Sequence, residues 1–239
     1  MHRFHLVREY LLSRLGADNP GSGLTIVESE RRSKREMSYG FIHKLWIVQF
    51  DDGAVVASVP LNTTEKVKAL IYTNKRDITD ERFTKSLKKT MFGKESCRCF
   101  CDLVLACDAS TLALPGHVIA KRIVDTSYGC AGDIHFPAHC LPDGIVYGVI
   151  EDDTIVSIAY AHQTGEYQDI VADIGVETSK KFRQKGYARA CVHAVAQYAM
   201  NSGGESVYKC KPDNKASIQT ALSAGYVPYG KSLIFSVQD

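Results

Sequence analysis

Asp173-Ile-Gly-Val-Glu-Thr-Ser-Lys-Lys-Phe-Arg-Gln-Lys-Gly-Tyr-Ala188 decides how this chain is read. The run Ile170 to Val176 reads as a buried strand. It enters a polar turn that leaves, through Arg183-x-x-Gly186-x-Ala188, into an amphipathic helix. The first turn of a helix leaves about four backbone N–H groups without intrahelical partners, and the macrodipole adds roughly half a positive charge there. A phosphate suits such a place. Gly186 removes the Cβ that would hold a pyrophosphate off the backbone, Ala188 keeps the second helical position small, and Lys180, Lys181, Arg183 and Lys185 surround the turn with positive charge. The patterns G-x-G-x-x-G and G-x-x-x-x-G-K-[ST] are both absent, which argues against a Rossmann dinucleotide site and a P-loop.

Further elements lie on either side of this turn. Ile145 to Ile150, the turn Glu151-Asp-Asp153, and Thr154 to Ala161 predict an antiparallel hairpin. Gly186 to Met200 predicts a helix with Tyr187, Cys191, Ala194, Val195 and Tyr198 on one face, ended by Asn201-Ser-Gly-Gly204. Ser206 to Cys210 is a further strand, Pro212 to Ser217 opens a helix capped by Asp213 or Asn214 and stopped at Gly225, and Lys231 to Val237 is the closing strand. In this order, with Arg183-x-x-Gly186-x-Ala188, Asn214-x-x-Ser217 and Gly225-Tyr226, the segment from Ile145 to Val237 resembles the GNAT superfamily of acyl-CoA-dependent N-acetyltransferases.

The resemblance implies an α/β (α+β) fold with a mixed, mostly antiparallel central sheet flanked by helices. It also implies acetyl-CoA as co-substrate and an amine as acceptor. The pantetheine arm would pair with the backbone of Val176, Glu177 and Thr178, and the pyrophosphate would take N–H groups from Gln184, Lys185, Gly186, Tyr187 and Ala188, with Arg183 opening the turn. Asn214 and Ser217 would sit by the distal thiol arm. Asp173, in an Asp-Ile-Gly sequence where many members have Glu-Ile-Gly, is the first candidate for the general base, and Glu177, on the same strand face by parity, is the second. Each is also readable as a structural carboxylate. Many members carry a Tyr seven residues after the helix-opening Asn as the acid for the leaving thiolate, and here that position is Ala221. Tyr226 is the substitute candidate, although a Tyr after a helix-ending Gly also reads as a packed core aromatic.

The remaining sequence bounds the function less tightly. Its 239 residues divide into an N-terminal mixed α/β domain, 1–115, of unassigned role, and the GNAT-like domain, 116–239. Phe4 to Leu15 predicts a helix, Leu45–Phe50 and Ala54–Val59 a hairpin, and Thr63–Ile71 and Asp80–Met91 two further helices. A net charge of +2 with interspersed signs gives no case for nucleic acid, and no run of about 18 apolar residues or secretory leader is evident, so a cytoplasmic protein without a membrane partner is expected. A homodimer is left open. Cys97, Cys99 and Cys101 fall on one face of a predicted strand ending at Cys107, at a spacing unlike a zinc ribbon, and read as small core hydrophobes; no metal is expected. His117, His135 and His139 lie in a Pro- and Gly-rich connection, Pro115 to Pro142, and read as surface residues. Three classes of function stay open: an active N-acetyltransferase, a non-catalytic CoA-binding or regulatory module, and an interaction scaffold with an empty cradle.

Overall fold

The computed structural model describes residues 3–18, 20–36, 41–74, 77–136, 141, 144–162, 165–167 and 169–238. In chain order these form α1 (His5–Leu15), β1 (Leu24–Glu28), β2 (Arg35–Glu36), β3 (Phe41–Phe50), β4 (Val55–Val59), α2 (Thr64–Asn74), α3 (Glu81–Phe92) and β5 (Arg98–Cys107). Then come β6 (Lys121–Arg122), β7 (Gly129–Cys130), β8 (Val146–Glu151), β9 (Thr154–His162), β10 (Val171–Thr178), α4 (Tyr187–Asn201), β11 (Glu205–Cys210), α5 (Lys215–Ala224) and β12 (Val227–Gln238). His139 and Cys140 fall outside the described residues.

The chain forms two compact units. One comprises Met1–Val7, Leu105–Cys210 and Asn214–Val227, the other Arg8–Val104, Lys211–Asp213 and Pro228–Asp239. In this partition the last strand, from Pro228 onward, counts with the N-terminal sequence, although it closes the C-terminal half in the order of elements along the chain.

In the N-terminal unit the order is β1-β4-β3-β12-β5, with β2 also on β3. Antiparallel pairing joins β3 to β4, β12 and β2, while β1 runs parallel to β4. Alternation along β3 explains its two faces. Leu45 and Ile47 join a core with Val67, Ile71, Phe83, Leu87 and Phe235, under the apolar sides of α2 and α3. Trp46 and Phe50, on the opposite face, lie beneath the guanidinium groups of Arg14 and Arg8 from α1. The start of α3 is fixed by Asp80, whose carboxylate accepts the Phe83 N–H at 2.9 Å, a cap worth about 1 kcal/mol.

In the C-terminal unit the order is β11-β10-β9-β8-β6, with β7 also on β9. The hairpin β8–β9 and the pair β9–β10 are antiparallel, and β10 runs parallel to β11. Helix α4 packs across β8, β9 and β10. Its buried residues are Cys191, Val192, Val195, Ala196, Ala199 and Met200, a stripe turned from the expected one. Tyr198 and Ala194 are only half-buried. Small Ala196 and Ala199 let the helix axis come down on the sheet, and Tyr198 instead carries the Arg122 guanidinium over its ring at 4.6 Å. The segment read as a loose connection is also part of the core, with Ile123 and Ile134 buried beside Val146, Ile155 and Ile158.

Candidate functional site

Strand β10 has two unlike halves. Its parallel register with β11 runs from Val171↔Glu205 to Ile174↔Tyr208 and stops, whereas its antiparallel register with β9 continues to Thr178↔Ser157. The first four residues are buried, and Gly175 to Thr178 are half-buried. A strand that keeps one neighbour and loses the other turns backbone donors and acceptors toward the gap, where an extended ligand can pair with them. Val176, Glu177 and Thr178 all lie on this stretch.

The strand ends in a tightly braced turn. On the α4 side of β10, the Thr178 hydroxyl lies 2.7 Å from Ser157 Oγ, which in turn accepts from the Cys191 thiol of α4 at 3.7 Å. Arg183 Nε donates to the Thr178 carbonyl at 3.2 Å, so the arginine closes the turn through the backbone. Asp133 accepts the Lys180 N–H at 2.8 Å, and that bond, with the Ser179 hydroxyl, holds its carboxyl below the usual range. Gln184 (φ 63°) and Gly186 (φ 79°) are left-handed, with Lys185 between them at negative φ. Alternating handedness of this kind curls successive N–H groups toward one side and makes an anion nest. Gly186 caps α4 without a side-chain bond, and no acidic residue stands in the first turn. Its glycine is demanded by φ, since a Cβ there would meet nothing within 4 Å.

Side chains complete the cradle. Lys185 holds its ammonium 5.0 Å from the Phe182 ring and 5.6 Å from Tyr187. Tyr187 donates its hydroxyl to Glu151, and this bond raises the phenol above its ordinary value. Ala188 is half-buried behind it.

The N-terminus of α5 adds polar groups. Asn214 is the cap, accepting the Ser217 N–H at 3.1 Å, and Ser217 Oγ lies 2.7 Å from the Tyr208 hydroxyl on β11. Tyr208 stands at the position where the β10–β11 register ends. Ala221, one turn beyond Ser217, is fully buried. Tyr226 is buried too, with its hydroxyl 2.6 Å from Ser206, and burial drives its phenol well above the ordinary value. The hydroxyl that meets the cofactor-binding candidates is therefore that of Tyr208.

Asp173 and Glu177 share the other face of β10 with Gly175. The Asp173 side chain is 2% exposed and its Oδ2 lies 2.6 Å from Lys209 Nζ. Its cross-strand partner is His162, whose ring makes an edge contact with Tyr160 at 5.1 Å. Tyr160 in turn lies over Gly175, so closely that a Cβ there would come within 2.6 Å of the ring. Glu177 Oε2 accepts the backbone N–H of His135 at 2.9 Å. Lys209, His162 and Tyr160 carry no motif; strand pairing sets His162 opposite Asp173 and Tyr160 opposite Gly175, and Lys209 reaches Asp173 from the end of β11.

Beside the cradle is a cavity of about 720 Å³. Leu114 to Ala120, with His117, form one wall, and Lys185, Gly186, Arg189 and His193 the other. Arg189 pins the wall by donating to the carbonyls of Leu114 and Ser223, both at 2.9 Å. The His193 Nε2 lies 2.9 Å from the Ala113 carbonyl, and burial lowers its imidazole below the ordinary value.

Residues 124–226 match the model of the acetyltransferase (GNAT) family. The match lies within the C-terminal half of the chain. Solved structures similar to this chain include a GNAT-family protein from Novosphingobium aromaticivorans, 16% identical with a TM-score of 0.45, over 59% of this chain and 66% of that one. This chain thus spans just under two thirds of that protein. A GNAT-family acetyltransferase from Colwellia psychrerythraea is 14% identical with a TM-score of 0.46, over 78% of each chain. A GCN5-related N-acetyltransferase-like protein from Streptococcus suis is 16% identical with a TM-score of 0.42, over 65% of this chain and 68% of that one. No curated protein matches the sequence.

Among the described residues, no group of three or more His, Cys, Asp and Glu is placed to hold a metal ion. No helix among them is long and apolar enough to cross a membrane.

Proposed function

We propose that the GNAT half binds acetyl-CoA and transfers its acetyl group to an amine. The observation that carries this is the one-sided second half of β10, followed by a nest and a helix N-terminus with no side-chain cap. In this proposal the pantetheine amides pair with Val176 to Thr178. The pyrophosphate takes N–H groups between Gln184 and Ala188, and the nucleotide end lies toward the cavity of Lys185, Arg189 and His193. Asn214 and Ser217 flank the thiol arm.

The acceptor then approaches the face carrying Asp173, Glu177, His162 and Tyr160. Its ammonium proton passes to Asp173, or to Glu177, through water, and the amine lone pair attacks the thioester carbonyl. Collapse of the tetrahedral species expels the CoA thiolate, which takes a proton from Tyr208 through Ser217, or from solvent, while the nitrogen gives up its second proton to solvent and solvent reprotonates the phenol. Tyr226, enclosed against Ser206, serves packing in this scheme. Calorimetry with acetyl-CoA tests the cofactor assignment, and the absence of binding at sub-millimolar concentration would sink it. Release of free CoA thiol across a panel of amines tests the transfer.

A second reading rests on two observations. Asp173 is engaged by Lys209, and Ala221 is buried where many members of the family carry a tyrosine acid. Both favour a module that binds CoA without turning it over. Acetyl-CoA binding without thiol release on any amine would select that reading over the first.

A further inference from the structure

The thiols of the N-terminal unit carry a different chemistry. Cys99 and Cys101 project from the same face of β5, and their sulphurs lie 3.8 Å apart. Cys99 is exposed, so it is not the core hydrophobe its spacing suggested, while Cys97 and Cys101 are half-buried and pack against the core cluster that contains Leu87, Phe92 and Phe235. The Lys88 ammonium approaches from α3, bonding the Cys97 carbonyl at 3.3 Å. Its charge reaches Cys97 and Cys99, a setting in which reactive thiols are found, partly open and beside a cation, whereas the charges facing Cys101 are those of Asp102 and Asp77. Cys107, on the same strand, is fully buried.

We propose that Cys99 and Cys101 form a redox-active dithiol that exchanges reversibly with small-molecule disulfides such as oxidised glutathione. The first step is attack of the Cys101 thiolate on one glutathione sulphur. The S–S bond of the oxidant breaks, one glutathione leaves as thiolate and takes up a proton, and Cys101 is left as a mixed disulfide. The Cys99 thiolate then attacks the Cys101 sulphur, forms the Cys99–Cys101 bond and expels the second glutathione. Two protein thiols lose two electrons and two protons, and one disulfide is reduced to two thiols.

The order of the steps follows from the pair itself. The hydrogen bond between the two sulphurs holds the Cys101 thiol below its ordinary value, with burial and the Asp102 and Asp77 charges opposing, and it raises Cys99. In the proposed order Cys101 supplies the thiolate and the more exposed Cys99 resolves the adduct. Residues two apart on a strand have Cα atoms separated by about 6.6 Å, from the rise per residue. The Cα separation lies near the outer end of the disulfide range, about 4.4–6.8 Å. The Cβ atoms on one face of an extended strand, however, lie beyond the roughly 3.5–4.5 Å that a disulfide spans, so the bond forms only as the start of β5 bends, with strain. Strained, exposed disulfides are the easily reduced ones, which makes this pair a reversible site and not a structural staple.

The test incubates the full chain with oxidised glutathione and measures its mass without reductant. The expected product is lighter by two hydrogens, with the bond inside the tryptic peptide that begins at Cys99, and dithiothreitol restores the original mass. Cleavage after Arg98 puts Cys97 on a separate peptide, and fragmentation between Cys101 and Cys107 excludes the buried thiol. Cys99→Ser should accumulate one glutathione on Cys101, and neither Cys99→Ser nor Cys101→Ser should form the intramolecular bond. Stable adducts on wild-type Cys99, a bond to Cys97 or Cys107, or an unchanged mass would each overturn the proposal.

Discussion

The two halves of β10 are made of similar residues and do opposite work. Val171 to Ile174 are buried and paired on both sides, whereas Gly175 to Thr178 keep β9 and lose β11. A fully paired strand spends its backbone groups on its own sheet and contributes stability. A half-paired one keeps donors and acceptors for something else. The change falls between Ile174 and Gly175, next to the Asp173–Lys209 ion pair. What separates the paired half from the half proposed to bind is strand register, which four consecutive residues do not encode by themselves.

Breaking the first half should have the largest effect. Asp173→Ala leaves Lys209 with its charge in a site where only 21% of its side chain reaches solvent. Loss of one partner from such a pair costs about 3 kcal/mol, to be read from urea unfolding. The double variant Asp173→Asn, Lys209→Met removes both charges and should recover most of that stability. If Asp173 is the base, acetyl transfer stays lost in the double variant although the fold returns. Transfer that recovers together with stability would reassign Asp173 to structure alone.

The junction comes next in size. Gly175→Ala sets a Cβ within 2.6 Å of the Tyr160 ring, and overpacking of this kind costs about 2 kcal/mol. Adding Tyr160→Ala should relieve the clash, so a double-mutant cycle is expected to show strong coupling. Independent effects would show that the ring is free to swing aside and that the junction is less rigid than its geometry indicates.

Legibility in the sequence divides along the same line. The helix-opening turn, the Asn214 cap and the β8–β9 hairpin depend on neighbours a few residues apart, so their patterns survive in the linear text. Lys209 meets Asp173 from 36 residues away, and Tyr160 reaches Gly175 from the facing strand. Neither contact leaves a periodic trace. The Leu114–Ala120 wall looked like a connection because its order comes from Arg189, a side chain on another element. Sequence proximity to the Gly225 stop points to Tyr226 and carries no sign of Tyr208. Parity places the Tyr208 hydroxyl on the face where Ser217 receives it.

At the far end of the half-paired stretch, Gly186→Val tests the nest. Forcing a β-branched residue to φ 79° costs about 1–2 kcal/mol, and relaxation of the loop would turn the N–H groups of α4 away from a bound pyrophosphate. The affinity for acetyl-CoA should therefore fall further than stability does. An unchanged dissociation constant, measured by calorimetry on a folded variant, would remove the nest from the binding site.

The smallest effect concerns the wall of the cavity. Burial holds His193 below its ordinary imidazole value, so the folded state prefers it neutral, with one tautomer able to donate from Nε2 to the Ala113 carbonyl. Between the folded value and about 6.5 the unfolded chain binds more protons than the folded one, so stability falls as pH drops through that window. The Arg189 charge nearby adds to this preference. The loosening should be local and appear first as faster amide exchange along Leu114–Ala120 below pH 6.5. His193→Gln can keep a donor to the carbonyl and has no proton to gain, so it should flatten the pH dependence without opening the wall at neutral pH. An identical acid response in wild type and variant would place the titrating group elsewhere, and the cavity would then be held by Arg189 alone.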